Sequence, residues 1–110
     1  MSVFESELKK GRFVVGECSK CQKVTWPPND FCSHCFGSLS WRGIKEPGII
    51  VECSSKDGRT FCIVEFENTV RVMGTISGNT EPKPGAQIRV ISCSFDDSPK
   101  FTFGPEKSDL

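Results

Sequence analysis

Two cysteine doublets limit what this chain can fold into more than any other feature. Cys18-Ser19-Lys20-Cys21 and Cys32-Ser33-His34-Cys35 together read C-x2-C-x10-C-x2-C. Each doublet sets two sulfurs on one tight turn, with backbone amides directed at them. Two such turns facing each other place four thiolates at the corners of a tetrahedron, a geometry that Zn2+ accepts from an all-sulfur ligand set. The ten-residue spacer is shorter than the usual ribbon spacing. There is also a physical need for the metal. Residues 1–47 carry few apolar side chains, and a unit that small needs a metal or disulfides to fold. A structural zinc contributes about 10–16 kcal/mol of apparent binding energy to folding. The expectation is one structural Zn2+ held by Cys18, Cys21, Cys32 and Cys35. Four thiolates leave the ion no open position for substrate or water, so the site reads as structural rather than catalytic.

A rubredoxin-like iron centre would use the same four ligands, so the spacing alone leaves iron as an alternative. A redox C-x-x-C needs only one pair, in a strand-to-helix setting, and fits less well. His34, between two ligands, reads as a solvated spacer, with replacement of a cysteine ligand as the alternative. The chain has seven cysteines. That odd count comes without a secretory apolar stretch in Met1 to Lys10, which favours metal ligation in a reducing, cytoplasmic compartment over a disulfide framework. No apolar run approaches the roughly 20 residues needed to cross a bilayer. Fourteen basic residues balance 14 acidic ones, and the basic ones are spread along the chain. Nucleic-acid binders show a basic excess on one face, so the balance argues mildly against that class.

The chain divides at Pro47-Gly48, into an N-terminal helix and zinc ribbon over 1–47 and a β unit with a polar tail over 48–110. Ser2 to Lys10 reads as a short helix. Ser2 and Glu5 fit a capping box, Phe4 and Leu8 share a face, and Gly11 suits the stop. Phe13-Val14-Val15 reads as a strand leading into Cys18, and Trp26-Pro27-Pro28 as a rigid extended turn. Beyond Gly48, Ile49, Val51 and Cys53 alternate, then Cys62, Val64 and Phe66, then Val70, Val72, Gly74 and Ile76. Glu67-Asn68 is a candidate hairpin turn. Ser77 to Gly85 reads as loop, with Gly78-Asn79 and Pro82-Lys83-Pro84-Gly85 as its turn signals. A strand from about Gln87 to Phe95 switches its apolar parity between Val90 and Ile91, as a β-bulge would. Phe101 and Phe103 mark a last strand. Five short strands with a bulge suit a small barrel such as the OB fold, with a small open sandwich as the alternative. The fold class is therefore mainly β.

Cys53, Cys62 and Cys93 fall at inward parity and read as small buried apolar residues. Trp26 and Trp41 flank the second doublet and are expected to pack across the ribbon or at its junction with the barrel, or else to serve as exposed anchors. Asp96-Asp97 reads as a solvated turn. The sole histidine lies in the metal loop, and no G-x-S-x-G, phosphate-cradling glycine loop or H-E-x-x-H occurs. No group looks poised for catalysis.

These residues resemble the acyl-CoA-associated family of small proteins in which a rubredoxin-like zinc ribbon precedes an OB fold, long known as a domain of unknown function. The likeness runs over nearly the whole chain. Phe4 to Phe13 is similar to that family's helix and entry strand. Cys18-x2-Cys21, Trp26-Pro27-Pro28 and Cys32-x2-Cys35 are similar to its signature. Ser38-Leu39-Ser40-Trp41, with Gly43 and Gly48, is similar to its link into the barrel, and Phe101-Thr102-Phe103-Gly104-Pro105 to its closing strand. Two departures stand out. Gln22 and Phe36-Gly37 follow the doublets where the family often has glycine, and Asn29 follows the prolines where it often has arginine.

The resemblance implies a non-catalytic scaffold that bridges or stabilises thiolase-fold enzymes, namely thiolase (acetyl-CoA acetyltransferase) or 3-hydroxy-3-methylglutaryl-CoA synthase. The setting it implies is acyl-CoA and mevalonate metabolism, with contact to CoA as a further possibility. The competing reading is an OB-fold nucleic-acid module. Phe61, Ile63, Arg71 and Met73 share outward parity and would form its stacking face. A chain that binds acyl-CoA alone ranks below both, because the sequence has no anionic-phosphate cradle.

Overall fold

The structure, a computed structural model, describes residues 2–77 and 82–105. The chain opens with α1 (Val3–Lys9), where Ser2 accepts the Glu5 amide at 3.2 Å as N-cap. Phe4 and Leu8 form its buried face. Gly11, at φ 83°, stops it by turning left-handed and donating to the Leu8 carbonyl at 2.8 Å, as a C-terminal glycine does. A ribbon follows, built from β1 (Val14–Cys18), β2 (Val24–Thr25) and β3 (Leu39–Gly43) in the order β2-β1-β3, all antiparallel. The segment expected to be a plain link, Ser38 to Gly43, thus supplies the third ribbon strand. Its five residues are too short to show period-2 patterning clearly. Tertiary contact settles it, because Trp41 and Leu39 close over Gly16. A Cβ at Gly16 would lie 3.4 Å from the Trp41 ring and 2.9 Å from Leu39 Cδ1.

The rest is a closed five-stranded barrel of β4 (Gly48–Lys56), β5 (Arg59–Phe66), β6 (Val70–Ile76), β7 (Gln87–Phe95) and β8 (Pro99–Pro105). The spatial order is β4-β5-β6-β8-β7, with β7 returning to β4 through Gly48–Ile88 and Ile49–Gln87. Among the described residues only β6 and β8 run parallel. This closed, Greek-key arrangement is the OB-type barrel expected from the strand pattern, not the open sandwich. The bulge expected near Val90 is present: the β7–β8 register shifts between Val90 and Ser92, and Ile91 is 57% exposed.

A second bulge corrects the expected phase of β4. Ile50, not Ile49 or Val51, points into the core, and Ile49 is 40% exposed. The register then shifts between Ile50 and Glu52, which brings Cys53 opposite Cys62. Alternation counted across a bulge loses its phase, because one added residue flips every later side chain. The Glu67-Asn68 turn forms as expected, with φ of 53° and 60°. A second hairpin turn, Asp57-Gly58 with φ of 54° and 79°, joins β4 to β5. Asp-Gly between extended runs is a strong hairpin signal, and the sequence reading passed over it. Gly78-Asn79 and the polar tail beyond residue 105 lie outside the described residues.

Ribbon and barrel share one core. Phe13, between α1 and β1, meets Phe4 at 6.4 Å, Phe66 at 5.5 Å and Phe101 at 4.8 Å between ring centroids. Trp26 meets Phe4 edge-on at 5.6 Å, which puts it at the junction. Arg42 on β3 adds a polar latch. It donates to Glu67 through both terminal nitrogens, at 2.9 and 2.7 Å, and to Glu17 at 3.0 Å, while the Lys45 amide also donates to Glu67. Bidentate guanidinium–carboxylate pairing of this kind is both strong and directional.

The Arg42 hydrogen bonds hold the Glu67 carboxyl below its ordinary value of 4.5. A depressed carboxyl contributes stability that is present above its unfolded-state value and is lost as pH falls through its folded-state value. Glu67→Gln is therefore expected to cost about 1–2 kcal/mol at neutral pH, given that the pair is partly solvated. It should also flatten the loss of stability below about pH 4.5, as read from urea midpoints across an acid series. A second prediction concerns barrel closure. A Cβ at Gly74 would run into the Phe101 carbonyl and lie 2.7 Å from the Phe103 ring, whereas Gly43 has nothing nearby. Gly74→Ala should cost about 1–3 kcal/mol in urea unfolding and Gly43→Ala about 0.5 kcal/mol or less.

Candidate metal centre

The four doublet cysteines converge as the spacing requires. β1 delivers Cys18 at its end, and the chain turns at once, with the Gln22 amide donating to the Cys18 carbonyl at 3.0 Å. The Lys20 and Cys21 amides point at the Cys18 sulfur, at 3.3 and 3.4 Å. The second turn repeats the first: the Phe36 amide donates to the Cys32 carbonyl at 3.0 Å, and the His34 amide points at the Cys32 sulfur at 3.4 Å. The two turns face each other across Cys18–Cys35 at 3.5 Å and Cys21–Cys32 at 3.6 Å, and all four sulfurs lie within 4.8 Å of one another.

This geometry passes a direct test of fit. A tetrahedron with Zn–S bonds of about 2.3 Å has S···S edges of about 3.8 Å, close to the separations found. The donor set is all sulfur, which suits one structural Zn2+. Cys18 and Cys32 are buried, while Cys21 and Cys35 face outward. Amides from Cys35 and His34 lower the Cys32 thiol to about 6. Amides from Cys21 and Lys20 also lower Cys18 against the effect of burial. Cys35 is lowered by the Gly37 amide, but the crowd of neighbouring thiols and burial outweigh it and raise the group to about 11. Four sulfurs this close cannot all ionise without a cation among them. A bound dication supplies that charge and ties the two turns together.

The departures from glycine have a structural answer. Gln22 and Phe36, the residues directly after each doublet, adopt φ of 63° and 61°. The left-handed step that favours glycine is thus kept by other residues, which costs about 1–2 kcal/mol each. Gly37, next in line, has a separate reason: a Cβ there would lie 3.3 Å from the sulfurs of both Cys18 and Cys35. The left-handed step also turns Phe36 out to 80% exposure, and Phe31 on the same loop is 58% exposed. In the sequence Phe36 stands out only as a departure from glycine and Phe31 not at all, because Phe reads as core by default. His34 is exposed and stands outside the sulfur cluster, as a spacer.

Other residues land less uniformly. Cys62 is buried as expected, but Cys53 and Cys93 are only half-buried. Both sit beyond the bulges, where their strands leave the closed part of the barrel. Trp41 packs across the ribbon over Gly16. Asp96 and Asp97 form an exposed turn, with Asp97 at φ 65°. Arg42 and Glu67, which join ribbon to barrel, were not singled out as partners because 25 residues separate them.

Cys32→Ser is expected to abolish stoichiometric zinc and unfold the ribbon, whereas Cys53→Ala should leave one zinc per chain. Elemental analysis of the purified variants with circular dichroism checks both. A folded Cys32→Ser protein that keeps its zinc would overturn the ligand set.

Comparison with known proteins agrees with this geometry. Residues 6–42 match the family model described as ChsH2, rubredoxin-like zinc ribbon domain. No curated protein matches the chain. Among solved structures, the Ltp2-ChsH2(DUF35) aldolase superposes with a TM-score of 0.73 at 16% identity, over 93% of this chain and 91% of that one. A DUF35-family protein of unknown function from Sulfolobus solfataricus superposes with a TM-score of 0.61 at 21% identity, over 90% of this chain and 81% of that one. Residues 6–42 thus form a ribbon of the ChsH2, rubredoxin-like type, and the whole chain shares the fold of these two DUF35 structures.

Proposed function

We propose that this chain is a non-catalytic partner subunit of an acyl-CoA enzyme. In this reading residues 1–47 are the ribbon unit, with zinc on Cys18, Cys21, Cys32 and Cys35, and residues 48–110 are the barrel unit. The observation that carries the reading is the ChsH2-type ribbon at residues 6–42. The similar solved structure is described as an Ltp2-ChsH2(DUF35) aldolase. The aldolase activity in that description is that protein's, and here the catalytic group would come from the partner.

The local chemistry supports this division of labour. A centre of four thiolates offers no coordination position to a substrate. The sole histidine, His34, is exposed in the second metal turn. What the ribbon does offer is a preformed surface bearing Phe31 and Phe36, and a rigid surface lowers the ordering cost of docking. A groove of about 380 Å³ between the Trp26-Pro28 turn and the barrel, lined by Phe4, Val72, Met73 and Phe101 with Arg71, offers a second face for a partner or an acyl-CoA. In its finer form, the partner is a thiolase or a 3-hydroxy-3-methylglutaryl-CoA synthase of cytoplasmic acyl-CoA or mevalonate metabolism. Among the described residues no helix is long and apolar enough to cross a membrane.

The nucleic-acid reading loses ground on its own face. Arg71 and Met73 are exposed there, but Phe61 and Ile63 are half-buried. Glu65 also sets a carboxylate 3.6 Å from Arg71. A stacking platform needs open aromatics beside unopposed cations.

Affinity purification of the tagged chain from its native cells at moderate salt, followed by mass spectrometry, tests the reading. Stoichiometric recovery of an acyl-CoA enzyme is expected, a thiolase or the synthase if the finer form holds. An acyl-CoA enzyme of another fold would retain the partner role and overturn the finer form. Recovery of ribosomal or polymerase proteins, in a salt-sensitive complex and without any acyl-CoA enzyme, would overturn the whole.

A further inference from the structure

Outside the metal centre, the barrel holds a second pair of thiols. Cys53 on β4 and Cys62 on β5 are direct cross-strand partners, and their sulfurs lie 3.0 Å apart. The pair sits at the root of the β4–β5 hairpin, which runs out through exposed residues 54–59. The two thiols differ in their surroundings. Cys53 is half-buried, whereas Cys62 is 1% exposed. Burial, with Cys53 beside it, pushes the Cys62 thiol up to about 12. Both cysteines belong to a folded hairpin and neither is part of the sulfur cluster.

We propose that Cys53 and Cys62 form a dithiol site that reacts with low-molecular-weight disulfides and closes to a cross-strand disulfide, independently of the zinc centre. Cys53, the more accessible thiol, loses its proton to solvent and attacks one sulfur of the reagent. An S–S bond forms to Cys53, the reagent's own S–S bond breaks, and one small thiolate leaves and takes up a proton. Cys62 then gives up its proton and attacks the Cys53 sulfur. The intramolecular S–S bond forms, the mixed disulfide breaks, and the second small thiol departs. Two protein thiols are oxidised, and one small disulfide is reduced to two thiols. The second step is fast because the sulfurs are held close to bonding geometry. They need to approach by about 1 Å to reach the roughly 2.05 Å of a disulfide. The high value of the Cys62 thiol makes it a poor first attacker and suits it to the second step, where proximity compensates for a small thiolate fraction.

The zinc-loaded full chain is incubated with oxidised glutathione, alkylated, and mapped by peptide mass spectrometry, while a chromogenic chelator reports released zinc. The expected result is a Cys53–Cys62 crosslink, with the loss of two alkylatable thiols per chain and no zinc release. In Cys62→Ser, glutathione should instead stay trapped on Cys53. In Cys53→Ser, which keeps the buried Cys62, no modification of Cys62 is expected. The proposal is overturned if both thiols of the wild-type chain remain alkylatable after the zinc thiols have oxidised. Glutathionylation of Cys62 in the folded Cys53→Ser chain would overturn it equally, since Cys62 would then react without its partner.

Discussion

The ribbon depends on four sulfurs drawn to one point. Cys18, Cys21, Cys32 and Cys35 come from two turns joined by a ten-residue spacer, and a segment that short cannot bury a core of its own to hold those turns together. Amides aimed at the Cys18 and Cys32 sulfurs prepare the site, but four crowded thiols resist common ionisation. A dication resolves the conflict and converts a repulsive cluster into a crosslink between distant parts of the chain. The flanking strands then have fixed ends. β1 terminates in Cys18, and β3 begins directly after the second turn.

From that anchor the ribbon engages the barrel in three ways. Phe13 inserts among Phe4, Phe66 and Phe101, so apolar burial is shared across the two parts. Arg42 reaches from the ribbon to Glu67 on the β5–β6 turn, so a directional polar contact sets the orientation. Burial of apolar area is non-directional, whereas a bidentate ion pair is not. The two together account for a ribbon that is both attached and aligned. Glu46, just before the barrel, adds a third tie by accepting the Val90 amide at 2.6 Å beside the β7 bulge.

The same features bear on function. Four thiolates leave the metal no open position, and exposed apolar side chains lie on the ribbon's second metal loop, in the groove beside the Trp26 turn, and singly at Val3, Ile49 and Ile91. Rigid display is what a docking element requires, because side chains already held in place lose little entropy on binding. The barrel closes through two short seams, Gly48–Ile88 with Ile49–Gln87 between β4 and β7, and Thr75–Thr102 with Ile76–Phe103 between β6 and β8.

Much of this was written locally. The cysteine spacing named the metal ligands, Ser2 and Gly11 bounded the helix, and the parity switch at Val90 located a bulge, because each of these signals is carried by neighbouring residues. Tertiary structure decided the rest. It made a strand of Leu39–Gly43 by closing Trp41 over Gly16. It reset the phase of β4 with a bulge that its alternating apolar run concealed. It paired Arg42 with Glu67 across 25 residues. It also turned Phe36 outward through a left-handed backbone step and set Cys53 against Cys62 across a hairpin. Spacing can specify a turn and the atoms that it gathers. Which side chains meet across strands depends on register and closure, and those follow from packing of the whole chain.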